Sequence, residues 1–376
     1  MKTARFNSRT SLHCKIFDTA YNVLYLLSRI RKRVWTVKGA EKYSGDQISL
    51  IFAGTVINKN YIRHLIFGDA FEEQYIEKSF FWNILLSKRL KRFNGSIIVM
   101  EVEKNFKEHL PKENSFLIPC WLSGEMDLSK DLVKTVSTNI KRNIKKIVEK
   151  NFHYEILDGI GDFDNFYRTM YFPYVNRRYS DEAVVWSYED MKKEFVKCIL
   201  LLVRRENDEI AGTLINMREE IPRLWVIGIK DGNFELVKEG AMHAIWYYFL
   251  KYFEEKGIGR VSLGYTRSFF DDGVLQYKKQ WGMKIASASR EYFCVKPLNG
   301  SGGVISFLQN NPFIYEEGGR LKAAIFEAVE GFSEGEAMER YKRKYFMPGL
   351  DEISIFDSGN QAGKVMQWER EEISRF

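Results

Sequence analysis

The sequence predicts a mixed α/β (α+β) fold used twice. Each copy is expected to be a mixed central sheet with flanking helices, and the first copy is degenerate. Three observations predict it. The chain has 376 residues, more than one ordinary hydrophobic core holds. Short runs rich in Val, Ile and Leu alternate with stretches of helical spacing. The order strand, strand, loop, long helix, strand occurs in both halves. Proline is scarce and no Pro/Ser/Gly-rich linker divides the chain, so the copies are expected to pack tightly. The expected domains are a first copy over 1–130, a basic linking helix over 131–152, a second copy over 153–300 that carries the chemistry, and an extension over 301–376.

The first half opens on a polar stretch and then IFDTAYNVLYLLSRI, which contains Asp18 and is too short to span a bilayer. It is followed by Arg31–Arg33 and predicts a helix packed on its own domain, with a membrane-surface helix as the alternative. ISLIFAGTVIN (48–58) and YIRHLIFG (61–68) predict two strands. DAFEEQYIEKSFFWNILLSKRLKRFNG predicts a loop and a helix, and SIIVMEV (96–102) a strand.

The linking segment DLVKTVSTNIKRNIKKIVEKNF places Val133, Val136, Ile140, Ile144 and Ile147 on one stripe. Lys134, Lys141, Arg142, Lys145 and Lys146 fall on the other side. That outer face is either a solvated helix surface or a surface for a polyanion.

In the second half LLLVRR (200–205), EIAGTLINMRE (209–219) and RLWVIGIK (223–230) predict an antiparallel meander. DGNFELVKEG (231–240) predicts a loop. AMHAIWYYFLKYFEEKG predicts a helix burying Ile245, Tyr248, Phe249 and Phe253 and stopped by Gly257. RVSLGY is the next strand, DGVLQYKKQW a short helix ended by Gly282, and MKIASASREYFCV one last strand. The final stretch predicts a helix, a short strand and a packing tail.

The net charge is +7, mild for this length, and suits either an anionic ligand or an ordinary surface. Cys14, Cys120, Cys198 and Cys294 are scattered without a CxxC or Cys/His cluster. The pattern therefore predicts no metal and a reducing, cytoplasmic setting. No segment predicts a transmembrane helix, and peripheral membrane contact stays open.

Four stretches carry a resemblance. The strand-loop-helix-strand order at 209–265 resembles the core of the GNAT acyltransferase superfamily. NIKRNIKKIVEKNF, FDNFYRTMYFPYVNRRYS (163–180) and DDGVLQYKKQWG resemble segments of its double-domain branch, the Fem-type aminoacyltransferases and BioF2-like acetyltransferases. In the last stretch Val274, Tyr277 and Trp281 are like-for-like changes. The resemblance covers roughly 130–350, and earlier residues match in element order alone. VKEGAM (237–242) departs from the acetyl-CoA pattern. Gly240 is in place, but Val237 stands where Arg or Gln is usual and Met242 where a small residue is usual.

The resemblance implies a tandem GNAT-like fold and an N-acyltransferase using acetyl-CoA or another acyl-CoA. The acceptor would be an amino group of a small molecule or cell-envelope precursor, with direct transfer in a ternary complex and no acyl-enzyme. The alternatives are an aminoacyl-tRNA-dependent Fem-type transferase and a non-catalytic binding protein; DNA is not an expected partner. Val237, Lys238, Gly240 and Ala241 would form the donor's phosphate site, because amides at a helix N-terminus bind anions. Lys278 would stabilise the oxyanion. Arg267 would hold an anionic group, and Asp271 would act as base or amine anchor while Asp272 caps the helix. Lys279, turned about 100° from Lys278, would be solvated. Tyr174, Arg177, Arg178 and Trp225 would line the acceptor side, with core packing or solvation as their alternatives. His243 is a candidate base or a plain helix-surface histidine, and Tyr277 and Trp281 are expected to pack.

Overall fold

In a computed structural model, residues 31–80, 95–110, 114–179, 185–218, 220–328, 334–358 and 364–369 are described. The helix expected over IFDTAYNVLYLLSRI, and the end of the one expected over 69–95, lie outside them.

From the N-terminus the chain forms β1 (Arg31–Glu41), β2 (Gln47–Gly54), α1 (Val56–Ile66), β3 (Phe67–Phe80), β4 (Ile97–Glu103), β5 (Phe116–Pro119) and β6 (Leu122–Asp127). Then come α2 (Leu132–Thr135), α3 (Thr138–Glu149), β7 (Phe152–Leu157) and α4 (Ile160–Phe166). A π-helical turn (Tyr167–Tyr171) leads into α5 (Phe172–Tyr179) and α6 (Tyr188–Phe195). The meander is β8 (Cys198–Arg205), β9 (Asp208–Asn216) and β10 (Arg223–Ile229). It is followed by α7 (Phe234–Glu239), α8 (Ala241–Glu255), β11 (Arg260–Thr266), α9 (Gly273–Gln280), β12 (Lys284–Ser287) and β13 (Glu291–Pro297). The rest is α10 (Gly302–Asn310), β14 (Phe313–Glu317), β15 (Arg320–Glu327), α11 (Glu334–Tyr345), β16 (Glu352–Asp357) and β17 (Lys364–Glu369).

Two compact units result, and neither is contiguous in sequence. Of the described residues, the first takes 31–117, 291–310 and Ser358, and the second takes 118–290, 311–357 and 364–369. Residues 118–130, expected in the first domain, and 291–300, expected in the second, thus each fall in the other unit. The first unit's sheet runs β3-β1-β2-β4-β13-β5 and the second's β12-β6-β11-β10-β9-β8-β7. In each, an antiparallel pair is followed by a parallel partner, β4 on β2 and β11 on β10. Each parallel partner then takes an antiparallel neighbour from the other half of the sequence, β13 on β4 and β6 on β11. The two mixed sheets share this four-strand arrangement, with a reciprocal exchange of strands.

This exchange corrects the single strand expected over MKIASASREYFCV. The chain leaves the ladder at Ala288–Arg290, so β12 stays in the second sheet and β13 joins the first. YIRHLIFG is corrected too. Thr55 caps a helix, its hydroxyl accepting from the Asn58 amide, and Ile62 and Ile66 lie buried four residues apart. DAFEEQYIEKSF pairs with β1 as β3 rather than forming a loop and helix. The C-terminal segment forms a separate four-stranded sheet, β14-β15-β16-β17.

The linking segment forms two helices. Val136, Ile140 and Ile147 are buried in the second unit's core, Ile144 is half-buried, and Lys141, Arg142, Lys145 and Lys146 are exposed. α8 buries Ile245, Tyr248, Phe249 and Phe253 as its spacing requires. Among the described residues, no helix is long and apolar enough to cross a membrane. Nor, among them, does any group of three or more His, Cys, Asp or Glu lie where it could hold a metal.

Candidate functional site

The site begins where two parallel strands part. β10 and β11 share a single register position, Arg223 opposite Ser262, and separate beyond it. Two irregularities widen the gap. β10 shifts register between Leu224 and Val226, so Trp225 is the extra residue of a bulge. β11 shifts against β6 between Ser262 and Tyr265, where Gly264 sits at φ +73°. A side chain on Gly264 would meet the Leu224 carbonyl oxygen at 3.0 Å. The result is a wedge, open towards the C-terminal ends of both strands.

The first unit's equivalent is closed. β2 and β4 stay paired over four positions, Leu50–Ile97 to Ala53–Met100. The buried Glu101 carboxylate accepts from the Thr55 amide at 2.9 Å and its hydroxyl at 2.7 Å, at the start of α1. A carboxylate of the chain itself thus sits against the end of β2, beside Gly54 and Thr55.

Lys278 lies beside the wedge. Its side chain is buried, and Nζ donates to the Tyr265 carbonyl oxygen at 2.7 Å. Burial pushes its pKa down to about 7, against the opposing pull of Asp272. Asp272 caps α9 as its position predicts. Its Oδ1 accepts from the Val274 and Leu275 amides at 3.0 and 2.9 Å, and from the Thr266 hydroxyl at 3.3 Å. The cap therefore ties the helix carrying Lys278 to the end of β11. Asp271 is exposed, and its charge acts on Lys344 and Tyr345 of α11. Lys279 is not solvated as expected. It is half-buried, donates to the Lys344 carbonyl oxygen, and burial pushes its pKa down to about 8.

Arg267 is buried, with its guanidinium 3.9 Å over the Trp121 ring and Nη1 donating to the Cys120 carbonyl oxygen at 3.3 Å. On α5, Tyr174 is buried and its hydroxyl accepts from Arg178, while exposed Arg177 donates to the Gly232 carbonyl oxygen at 3.4 Å. Gly228 lets the π-helical turn close on β10, since a side chain there would meet the Tyr171 nitrogen at 2.6 Å. Trp225 is half-buried under Trp186, ring centroids 5.3 Å apart.

Tyr277 faces the start of α8. Its ring meets His243 and Trp246 edge-on at 5.4 and 5.2 Å. Its buried hydroxyl has no hydrogen-bond partner. Burial raises its pKa, with the Trp281 indole opposing and the nearby Tyr174 adding to the rise. His243 is half-buried, and its Nε2 accepts from Asn143 Nδ2 of α3 at 3.0 Å. Burial and the Lys146 charge lower its pKa, which keeps the imidazole largely neutral at pH 7.

The stretch expected as an open phosphate loop is mostly helical. Asn233 accepts from the Glu235 amide at 2.9 Å and starts α7, and Gly240 at φ +114° ends it. Val237 is half-buried, Lys238 is exposed and paired with Glu235 at 2.7 Å, and Ala241 is the buried first residue of α8. Gly240 and Ala241 thus stand at the helix start, while Lys238 points its charge at its own helix.

Tyr277 of α9 lies within electrostatic reach of Tyr174 and Arg178 of α5. Lys278, one residue on, turns to the Tyr265 carbonyl beside the wedge, and Asp271 and Lys238 are engaged elsewhere. Gly264 and Trp186 were not singled out from sequence. The glycine inside RVSLGY was the available signal, because glycine within a strand marks a bulge.

No family model and no curated protein matches the chain. Solved structures similar to it include the C-terminal domain of a protein described as a lysylphosphatidylglycerol synthetase from Agrobacterium fabrum, at 9% identity over 74% of this chain and 86% of that one, TM-score 0.38. FemX aligns at 12% identity over 66% and 80%, TM-score 0.36. A GCN5-related N-acetyltransferase from Kribbella flavida aligns at 13% identity over 75% and 95%, TM-score 0.29.

Proposed function

We propose that the second unit is an N-acyltransferase that moves an acyl group directly from a bound donor to an amine. The observation that carries this reading is the wedge between β10 and β11 with the Lys278 amine beside it. An acyl chain laid between separated strands meets backbone donors and acceptors that no neighbouring strand uses. An N–H fixed in a dry cleft stabilises the developing oxyanion, by several kcal/mol where it is charged. The donor is an acyl-CoA, acetyl-CoA first, with its phosphates at the start of α8 near Gly240 and Ala241. The acceptor is an amine on a small molecule or cell-envelope precursor, entering past Tyr174, Arg178 and Trp225.

A second reading, an aminoacyl-tRNA donor, is favoured by one feature. α3 exposes Lys141, Arg142 and Lys146 and packs Asn143 against His243 at the start of α8.

The test is thermal stability with and without acetyl-CoA and CoA. A saturable rise in Tm that Lys278→Ala or Gly240→Asp alters supports the CoA reading. No shift at millimolar CoA overturns it. Aminoacyl-tRNA binding that falls steeply with salt, and weakens on charge removal at Lys141 and Lys146, then identifies the second.

A further inference from the structure

The face of the second unit's sheet beside the wedge carries two exposed aromatic rings, Trp121 at 38% and Tyr265 at 48%. Register puts them on the same side. Tyr265 stands opposite Ser123 and Thr266 opposite Leu122, so Arg267 comes opposite Trp121, as the stacking of their side chains bears out. Trp121 and Tyr265 are therefore diagonal neighbours, about 7–8 Å apart along the ladder. The bulge at Gly264 sets this arrangement. Leu263 faces the core, and two residues on an unbroken strand would turn Tyr265 inward as well. The extra residue re-aims Tyr265 outward.

Each ring is backed by an arginine. The Arg267 guanidinium lies 3.9 Å from the Trp121 centroid, and the Trp121 amide donates to the Ser289 hydroxyl at 3.3 Å. The Arg223 guanidinium lies 5.5 Å from the Tyr265 centroid and donates to the Tyr265 hydroxyl at 3.2 Å. Exposed aromatic rings held by cations are fixed in orientation before any ligand arrives. The same face holds half-buried Ser123 and Glu125. The Tyr265 carbonyl oxygen also holds the Lys278 amine, so the platform adjoins the proposed reaction centre.

We propose that Trp121 and Tyr265 form a stacking platform for a sugar ring of the acceptor. This rests on the transferase reading for its role and on the platform's own geometry for its ligand. A pyranose offers an apolar C–H face to each ring and hydroxyls to Ser123 and Glu125. A nucleic acid fits less well: its phosphates need a cationic track, whereas here each arginine is engaged by a ring and a carboxylate shares the face.

The test is saturation-transfer NMR on the full chain with glucosamine, N-acetylglucosamine, chitobiose and adenosine as probes. Transfer to the C–H protons of the sugars is expected. Trp121→Ala and Tyr265→Ala should each weaken binding about tenfold, and Trp121→Phe should retain most of it. Hydroxyl-radical footprinting of the unmodified protein needs no variant and should find Trp121 and Tyr265 protected by chitobiose. Preference for adenosine, sugar binding indifferent to Trp121→Ala, or protection confined to other residues overturns the platform. Acetyl-CoA binding without sugar protection also removes the platform and leaves the transferase standing. Sugar protection in a protein that takes neither acyl donor leaves the platform standing and removes the transferase.

Discussion

Lys278 is costly to the fold where it is buried beside the wedge. Its amine is buried with one carbonyl acceptor and one nearby carboxylate, and its pKa falls from 10.5 to about 7. Between those two values the unfolded chain holds the proton more firmly than the folded one, so stability rises with pH across that window. At pH 7 the cost is on the order of 4 kcal/mol. Lys278→Met is therefore expected to raise Tm at pH 7 while reducing transfer by about a hundredfold or more. The rise should shrink as pH approaches 10, which thermal denaturation at several pH values checks. Asp272 acts in the opposite sense. Asp272→Ala removes the carboxylate that accepts from two amides and the Thr266 hydroxyl and should cost about 1–2 kcal/mol in urea denaturation. It should also move the Lys278 titration lower, because that carboxylate is the charge holding it up.

At the scale of elements, the wedge is made by bulges and close approaches rather than by side-chain chemistry. Gly264→Ala would strain a residue at φ +73° and press a methyl towards the Leu224 carbonyl. The expected cost is about 1–2 kcal/mol, with loss of donor-induced thermal stabilisation. Gly228→Ala sets a methyl against the backbone of Met170 and Tyr171, which cannot swing aside as a side chain end can. It should separate the π-helical turn from β10, read as faster amide exchange over residues 167–171. The helical spacing of α3, α8 and α9 was legible because each buries one stripe of its own residues. The helix over Phe234–Glu239 was not, because Asn233 and Gly240 mark a loop as readily as they mark the two ends of a short helix.

For the whole molecule, the exchanged strands make each sheet depend on both halves of the sequence. A fragment of residues 131–376 lacks β6 and leaves β11 and β12 without the strand that lies between them. It is expected to show no cooperative thermal transition and to aggregate through the open edges. A cooperative transition would contradict that dependence. The units also differ in what they can hold. The first keeps β2 and β4 zipped and seats Glu101 at the start of α1, whereas the second parts β10 and β11.

The sequence by itself determined the mixed α/β class, the meander at 198–229, the buried stripes of α3 and α8, the Asp272 cap and the short helix bearing Lys278. These are local matters, settled by periodicity and by side chains reaching amides two or three residues away. The tertiary structure decided which strand joins which sheet, and so split MKIASASREYFCV in two. It decided that Lys279 is half-buried, that Arg267 lies under Trp121, and that Tyr265 turns outward. Each depends on residues far apart in sequence, such as Trp121 and Arg267, or on a one-residue slip in register, which no repeat of hydrophobicity along the chain encodes.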